Sequence, residues 1–84
     1  MPEKTEYKLT RRLPDGTEKV HSVRFATKRK AAQAAFFSLL DNGAAGKPDA
    51  NAFASRLQDA PLGAWLEHAS GYAFTVTAWQ DSGS

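Results

Sequence analysis

Residues 5–26 read TEYKLTRRLPDGTEKVHSVRFA, and this stretch sets the fold class. From Thr5 to Leu13 the residues alternate. Tyr7, Leu9 and Leu13 share one parity, and Lys8, Thr10 and Arg12 share the other. Period-two alternation marks a half-buried strand. Pro14-Asp15-Gly16 then supplies a turn: proline presets φ, aspartate bonds the backbone, and glycine takes the left-handed position. A second strand is expected from about Thr17 to Ala26. Charge selects the register. With Leu13 opposite Thr17, Arg12 faces Glu18, Glu6 faces Arg24, Leu9 faces His21 and Tyr7 faces Val23. A slip of one residue sets Arg12 against Lys19 and separates the apolar faces.

Outward from the hairpin, Thr27 is an N-cap and residues 28–42 read as a helix that Gly43 closes. Its expected buried stripe is Ala32, Ala35, Phe36, Leu39 and Leu40, flanked by Phe37. Asp49 is expected to cap a second, shorter helix carrying Phe53, Ala54 and Leu57 and ended by Pro61. Leu62, Trp65 and Leu66 suggest a further turn or two of helix over residues 62–69. Residues 72–79 alternate again, with Tyr72, Phe74, Val76 and Ala78 on one face and Thr75, Thr77 and Trp79 on the other. The expected architecture is therefore α+β: one domain spanning residues 1–84, ordered over about 5–79, with a frayed tail at 80–84. Its order is β-β-α-α-β, a three-stranded, mainly antiparallel sheet with two or three helices on one face.

Composition narrows the function classes. The chain has 84 residues, enough for one small domain. Of its 35 hydrophobic residues, 15 are alanine and none is isoleucine, which predicts a thin core and suggests a GC-rich bacterial or phage coding bias. Cysteine is absent, which excludes disulfides, thiolate metal ligands and thiol nucleophiles and suits a reducing cytoplasm. No apolar run is long enough for a signal peptide or a membrane span. The net charge is +2, but residues 1–30 hold nine Lys and Arg against four acids (+5) and residues 31–84 hold two against five (−3). An anionic partner is expected on the first half.

Catalytic, cofactor and metal signatures are not found. His21 and His68 are the only histidines. His21 is expected on the inner sheet face, and His68 and Glu67, as neighbours on a helix, would point apart. Neither HExxH, a phosphate loop nor GxSxG occurs. Lys28, Arg29 and Lys30 do break a local rule, because cations in a first helical turn oppose the macrodipole by about 0.3–1 kcal/mol each. Such departures tend to mark function, and this one makes an anion site. The open sheet face, expected to show Lys8, Thr10, Arg12, Val20, Arg24, Thr75, Thr77 and Trp79, is the second candidate surface. Lys8, Arg11, Arg12, Arg24, Lys28, Arg29, Lys30 and Trp79 are the expected partner-binding residues.

Two resemblances bear on the partner. Thr27-Lys28-Arg29-Lys30-Ala31-Ala32-Gln33-Ala34-Ala35 opens a stretch, residues 27–40, that resembles the last helix of double-stranded-RNA-binding domains. There a hydroxyl residue precedes a Lys-rich first turn that touches phosphates. On that resemblance Lys28, Arg29 and Lys30 would be phosphate contacts. The chain departs from the family elsewhere, since two further elements follow the basic helix. In size, small sheet-plus-helix make-up and lack of cysteine, the chain also resembles the phage- and plasmid-borne inhibitors of bacterial defence, anti-CRISPR proteins above all. That likeness is one of type and transfers no residues. It implies a non-enzymatic protein in the bacterial cytoplasm, monomeric or homodimeric, that docks on an effector subunit or nuclease and blocks nucleic-acid binding or recruitment. The basic first half argues against DNA mimicry. The rival expectation is a small module that binds duplex RNA or DNA through the basic hairpin and helix start.

Overall fold

A computed structural model describes residues 6–21 and 23–79. Expectations for Thr5, Ser22 and the tail 80–84 lie outside the described residues. Six elements follow one another: β1 (Tyr7–Arg12), β2 (Glu18–Val20), α1 (Lys28–Asp41), α2 (Lys47–Asp59), β3 (Trp65–Glu67) and β4 (Ala73–Ala78). The sheet has four strands in the order β2-β1-β4-β3, with every pair antiparallel. The expected three-stranded sheet is thereby corrected. Residues 62–69 form no helix, and Trp65–Glu67 pairs with β4 as an edge strand.

A turn explains the correction. The Leu13 N–H donates to Thr17 O (2.8 Å) and the Gly16 N–H to Leu13 O (2.9 Å), with Gly16 at φ +93°. The His68 N–H donates to Tyr72 O (2.7 Å) and the Gly71 N–H to His68 O (3.0 Å), with Gly71 at φ +99°. His68-Ala69-Ser70-Gly71-Tyr72 is thus the same hairpin device as Leu13-Pro14-Asp15-Gly16-Thr17. In the first turn, the Thr17 N–H on Asp15 Oδ1 (2.8 Å) holds that carboxyl below its ordinary range. The two turns also touch: a Cβ on Gly71 would stand 2.9 Å from Pro14 Cβ.

The first hairpin keeps the charge-selected register over its paired length, with Thr10 opposite Val20, Arg11 opposite Lys19 and Arg12 opposite Glu18. The His21 N–H still donates to Leu9 O (2.9 Å). The register then shifts by two, because Tyr7 bridges Phe25 rather than Val23. The second strand is accordingly three residues long and not ten. The shift places the Phe25 side chain against the core and leaves Val23 exposed.

Helix α1 starts and ends at its caps. Thr27 Oγ1 accepts from the Lys30 N–H at 3.1 Å, and Gly43 takes φ +67° beyond the C-cap Asn42. Its buried stripe is Ala31, Ala32, Ala35, Ser38 and Leu39, rotated towards Ala31 and Ser38 from the expected one. Helix α2 begins at the N-cap Gly46, with no side-chain cap bond, and Pro48 stands in its first turn. Asp49 is therefore not its cap but a first-turn residue whose carboxylate is used elsewhere. The helix ends at Ala60, before Pro61.

Both helices pack on the sheet face that carries Leu9, Phe74 and Val76. Phe53, Phe74, Leu9, Leu39 and Leu57 are its largest fully buried side chains. Burying each contributes about 1.5–3 kcal/mol. Alanines 31, 32, 35, 50 and 54 fill the helix-facing layer and let the backbones approach. The opposite sheet face carries no helix among the described residues.

Candidate functional site

The uncovered face takes one parity from each strand. Lys8, Thr10 and Arg12 come from β1, and Ala73, Thr75 and Thr77 from β4, continuing to Trp79 just past its end. Trp65 and Glu67 come from β3, and Glu18 and Val20 from β2. Thr10 stands beside Thr75, and Thr75 beside Trp65, so a threonine row runs into an indole. Both threonines are buried although no helix covers them. Aromatic rings and cationic side chains cover them instead.

The cover is ordered by cation–aromatic stacking. The Arg12 guanidinium lies 4.2 Å from the centre of the Trp65 ring, and that of Arg24 lies 4.7 Å from the Trp79 ring. Lys8 Nζ approaches Trp79 at 5.4 Å. Such contacts contribute about 0.5–1 kcal/mol each at exposed sites. Arg12 Nε also meets Glu18 at 3.6 Å, and Arg24 Nη1 meets Glu6 at 3.4 Å. These ion pairs are solvent-exposed and each adds no more than about 1 kcal/mol. Their larger effect is to hold each guanidinium between a carboxylate and an indole.

The polar atoms under this cover are not all satisfied. Thr75 Oγ1, Thr77 Oγ1 and Trp79 Nε1 are enclosed and have no hydrogen-bond partner among the described residues. Each such buried group costs about 1–3 kcal/mol until it is paired. Exposed Val20 adds an apolar edge to the same face.

The expected partner-binding residues do not form one patch. Lys8, Arg12, Arg24 and Trp79 come together on the open face. Arg11 points the other way, into the helix layer, where its Nη1 donates to Ser38 Oγ at 2.9 Å. By strand parity it shares the face of Leu9, not that of Arg12. Lys28 is occupied as well, since its Nζ donates to the Ala60 carbonyl at 2.7 Å and closes the C-terminus of α2. Arg29 and Lys30 remain exposed in the first turn of α1, apart from the sheet surface.

One cluster lies outside the sequence reading. His68 is buried beside Phe53, with ring centres 5.5 Å apart. Its Nε2 lies 2.9 Å from Asp49 Oδ2, and its Nδ1 lies 2.7 Å from Ser70 Oγ. The Ser70 backbone N–H donates to Nδ1 at 3.0 Å. That bond makes Nδ1 the acceptor, so Nε2–H is the donor to Asp49. The residues are those of a Ser-His-Asp triad, but the Ser70 hydroxyl and its own N–H converge on one nitrogen. The cluster ties the β3–β4 turn to the first turn of α2. The local signal was the His-Ala-Ser-Gly turn; the Asp49 contact, 19 residues away, had none.

Among the described residues, no group of three or more His, Asp or Glu is placed to hold a metal ion, and no helix is long and apolar enough to cross a membrane. Comparison with protein-family models, with curated proteins and with solved structures gives no match.

Proposed function

We propose that the chain is a non-catalytic binding protein that docks another protein on the open face of its sheet. The observation that carries this reading is the ordered Trp65–Arg12 and Trp79–Arg24–Lys8 stacking on the face, beside the enclosed, unpaired Thr75 and Thr77 hydroxyls. Tryptophan and arginine dominate the energetics of protein interfaces. Here they are held in place before binding, which lowers the ordering cost of association. A partner that seats on the ordered cover uses these side chains as they already stand.

On the sheet face the same geometry weighs against the nucleic-acid reading, which is left with the exposed Arg29 and Lys30 of the helix start. Phosphate binding draws on unpaired cations, and Arg12 and Arg24 each face a glutamate. Stacking of bases needs free aromatic faces, and each indole already has a cation over it. Glu67 adds a further negative charge to the face, so its recognition chemistry is mixed rather than cationic. In its most specific form the proposal is an inhibitor of the anti-CRISPR type, acting in the bacterial cytoplasm on an effector subunit or nuclease; that form rests on the resemblance of type.

The test is the double variant Arg12→Glu with Trp79→Ala. It is expected to weaken association with a purified target about 100-fold or more, while the urea midpoint shows the chain still folded. Unchanged affinity removes the face from the account. A gel-shift series with duplex RNA and DNA at about 50 mM salt is expected to show no complex; binding that falls steeply with salt would establish the rival reading.

A further inference from the structure

A second surface, on the other side of the sheet, has the features of a ligand cleft. Between the first hairpin and the C-terminal half of α1 lies a cleft of about 360 Å³, lined by Arg11, His21, Ala34, Phe37, Ser38, Asp41 and Asn42. The cleft is shallow and open to solvent, so it grips a ligand from one side. Arg11 is half-buried there and uses Nη1 on Ser38 Oγ. Its Nε is enclosed without a partner, and no carboxylate lies within ion-pair distance of it among the described residues. A guanidinium has five donors and is expensive to leave unpaired away from water. His21 sits beside it, and Lys19 is its cross-strand neighbour on β2. Half of the Phe37 surface is exposed, with the ring held edge-on against Phe36 at 5.2 Å between centres.

We propose that this cleft binds a small carboxylate carried on a flat apolar body, the carboxylate against Arg11 and His21 and the apolar body against Phe37. A carboxylate matches the donor geometry of a guanidinium and forms charge-assisted hydrogen bonds with it. Asp41, on the same rim, opposes any anion bound there, so its charge weakens the site. Burial and the charge of Arg11 together push the His21 pKa below its ordinary value. A bound carboxylate reverses the second influence, so binding draws a proton onto His21.

The probe is benzoate, titrated into the ¹⁵N-labelled 84-residue chain, with acetate, benzamide and phenyl phosphate as comparisons. Benzoate is expected to bind with Kd of order 1 mM, to shift the resonances of Arg11, His21 and Phe37 together, and to raise the His21 pKa. Acetate lacks the ring and benzamide lacks the charge, and each is expected to bind at least about tenfold more weakly. Arg11→Gln is expected to abolish the shifts. Asp41→Asn, an exposed change that leaves the core intact, is expected to tighten benzoate a few-fold and keeps the test open if Arg11→Gln does not fold. Equal binding of benzamide, no response to benzoate at about 50 mM, or no tightening in Asp41→Asn overturns the site. Tighter binding of phenyl phosphate overturns the choice of carboxylate.

Discussion

Phe53→Leu and Phe53→Ala probe the joint between the helices and the sheet. The Phe53 ring is fully buried, 5.6 Å from the Phe74 ring and 5.5 Å from the His68 ring, and edge-on to both. Truncation to alanine removes its burial and leaves a cavity, together about 3–5 kcal/mol. Each lost edge-on contact belongs to a class worth about 0.5–1.5 kcal/mol, which places Phe53→Ala in the upper part of that range. A domain of 84 residues has a total stability of about 4–13 kcal/mol, so this variant loses a third or more of it and is unfolded at the lower end of that range. Phe53→Leu keeps most of the volume and is expected to lose about 1–2 kcal/mol. In urea, with a slope of about 1–2 kcal/mol per M, its midpoint falls by about 1 M. Phe37→Ala is the matched control, because that ring is half exposed and has one edge-on neighbour. Its loss is expected to be about 1 kcal/mol or less. Equal losses for Phe53→Ala and Phe37→Ala, or the reverse order, would refute the packing described for α2.

Other perturbations test separate joints. Asp49→Ala leaves the buried His68 Nε2–H without its acceptor and should cost about 1–3 kcal/mol in a urea titration, whereas Asp49→Asn keeps an acceptor oxygen and should lose less. Gly71→Ala should destabilise by more than the ~1–2 kcal/mol of a left-handed alanine, because its Cβ meets Pro14; Pro14→Gly in the same chain should recover the excess. His21 titrates below its ordinary 6.5 in the folded protein, first through burial and then through Arg11. The unfolded chain therefore takes up the proton first as pH falls. The stability contributed by neutral His21 is complete above 6.5 and is lost as pH falls through the folded value. Urea midpoints measured from pH 7.5 to 5 should drop in this chain and drop less in His21→Gln.

What was legible in the sequence was local. The first hairpin could be read because turn, alternation and opposite charges all lie within 22 residues and agree. Helix α1 could be read from Thr27 and Gly43, since capping is decided by the terminal residues themselves. Strand β3 is not legible because Trp65-Leu66-Glu67 is three residues long, too short for a period to declare itself, and Leu62, Trp65 and Leu66 happen to fall at helical spacing. Only the His-Ala-Ser-Gly turn, with glycine in the place of Gly16, carried the contrary signal. Arg11 stands out by its charge, yet its parity puts it with Leu9 on the helix-covered face. Lys28 and Asp49 broke local expectation for tertiary reasons. One closes the other helix and the other holds a histidine, partners that no local pattern names.

The central claim is that the open face, and not the helical side, meets a protein. A photoreactive benzoylphenylalanine placed at Val20, on the rim of that face, and separately at Gln33, exposed on α1, tests it in producing cells. A discrete protein adduct is expected from position 20 that survives nuclease treatment, disappears when Arg12→Glu and Trp79→Ala are added, and is absent from position 33. An adduct from position 33 alone, or one that nuclease removes, would contradict it.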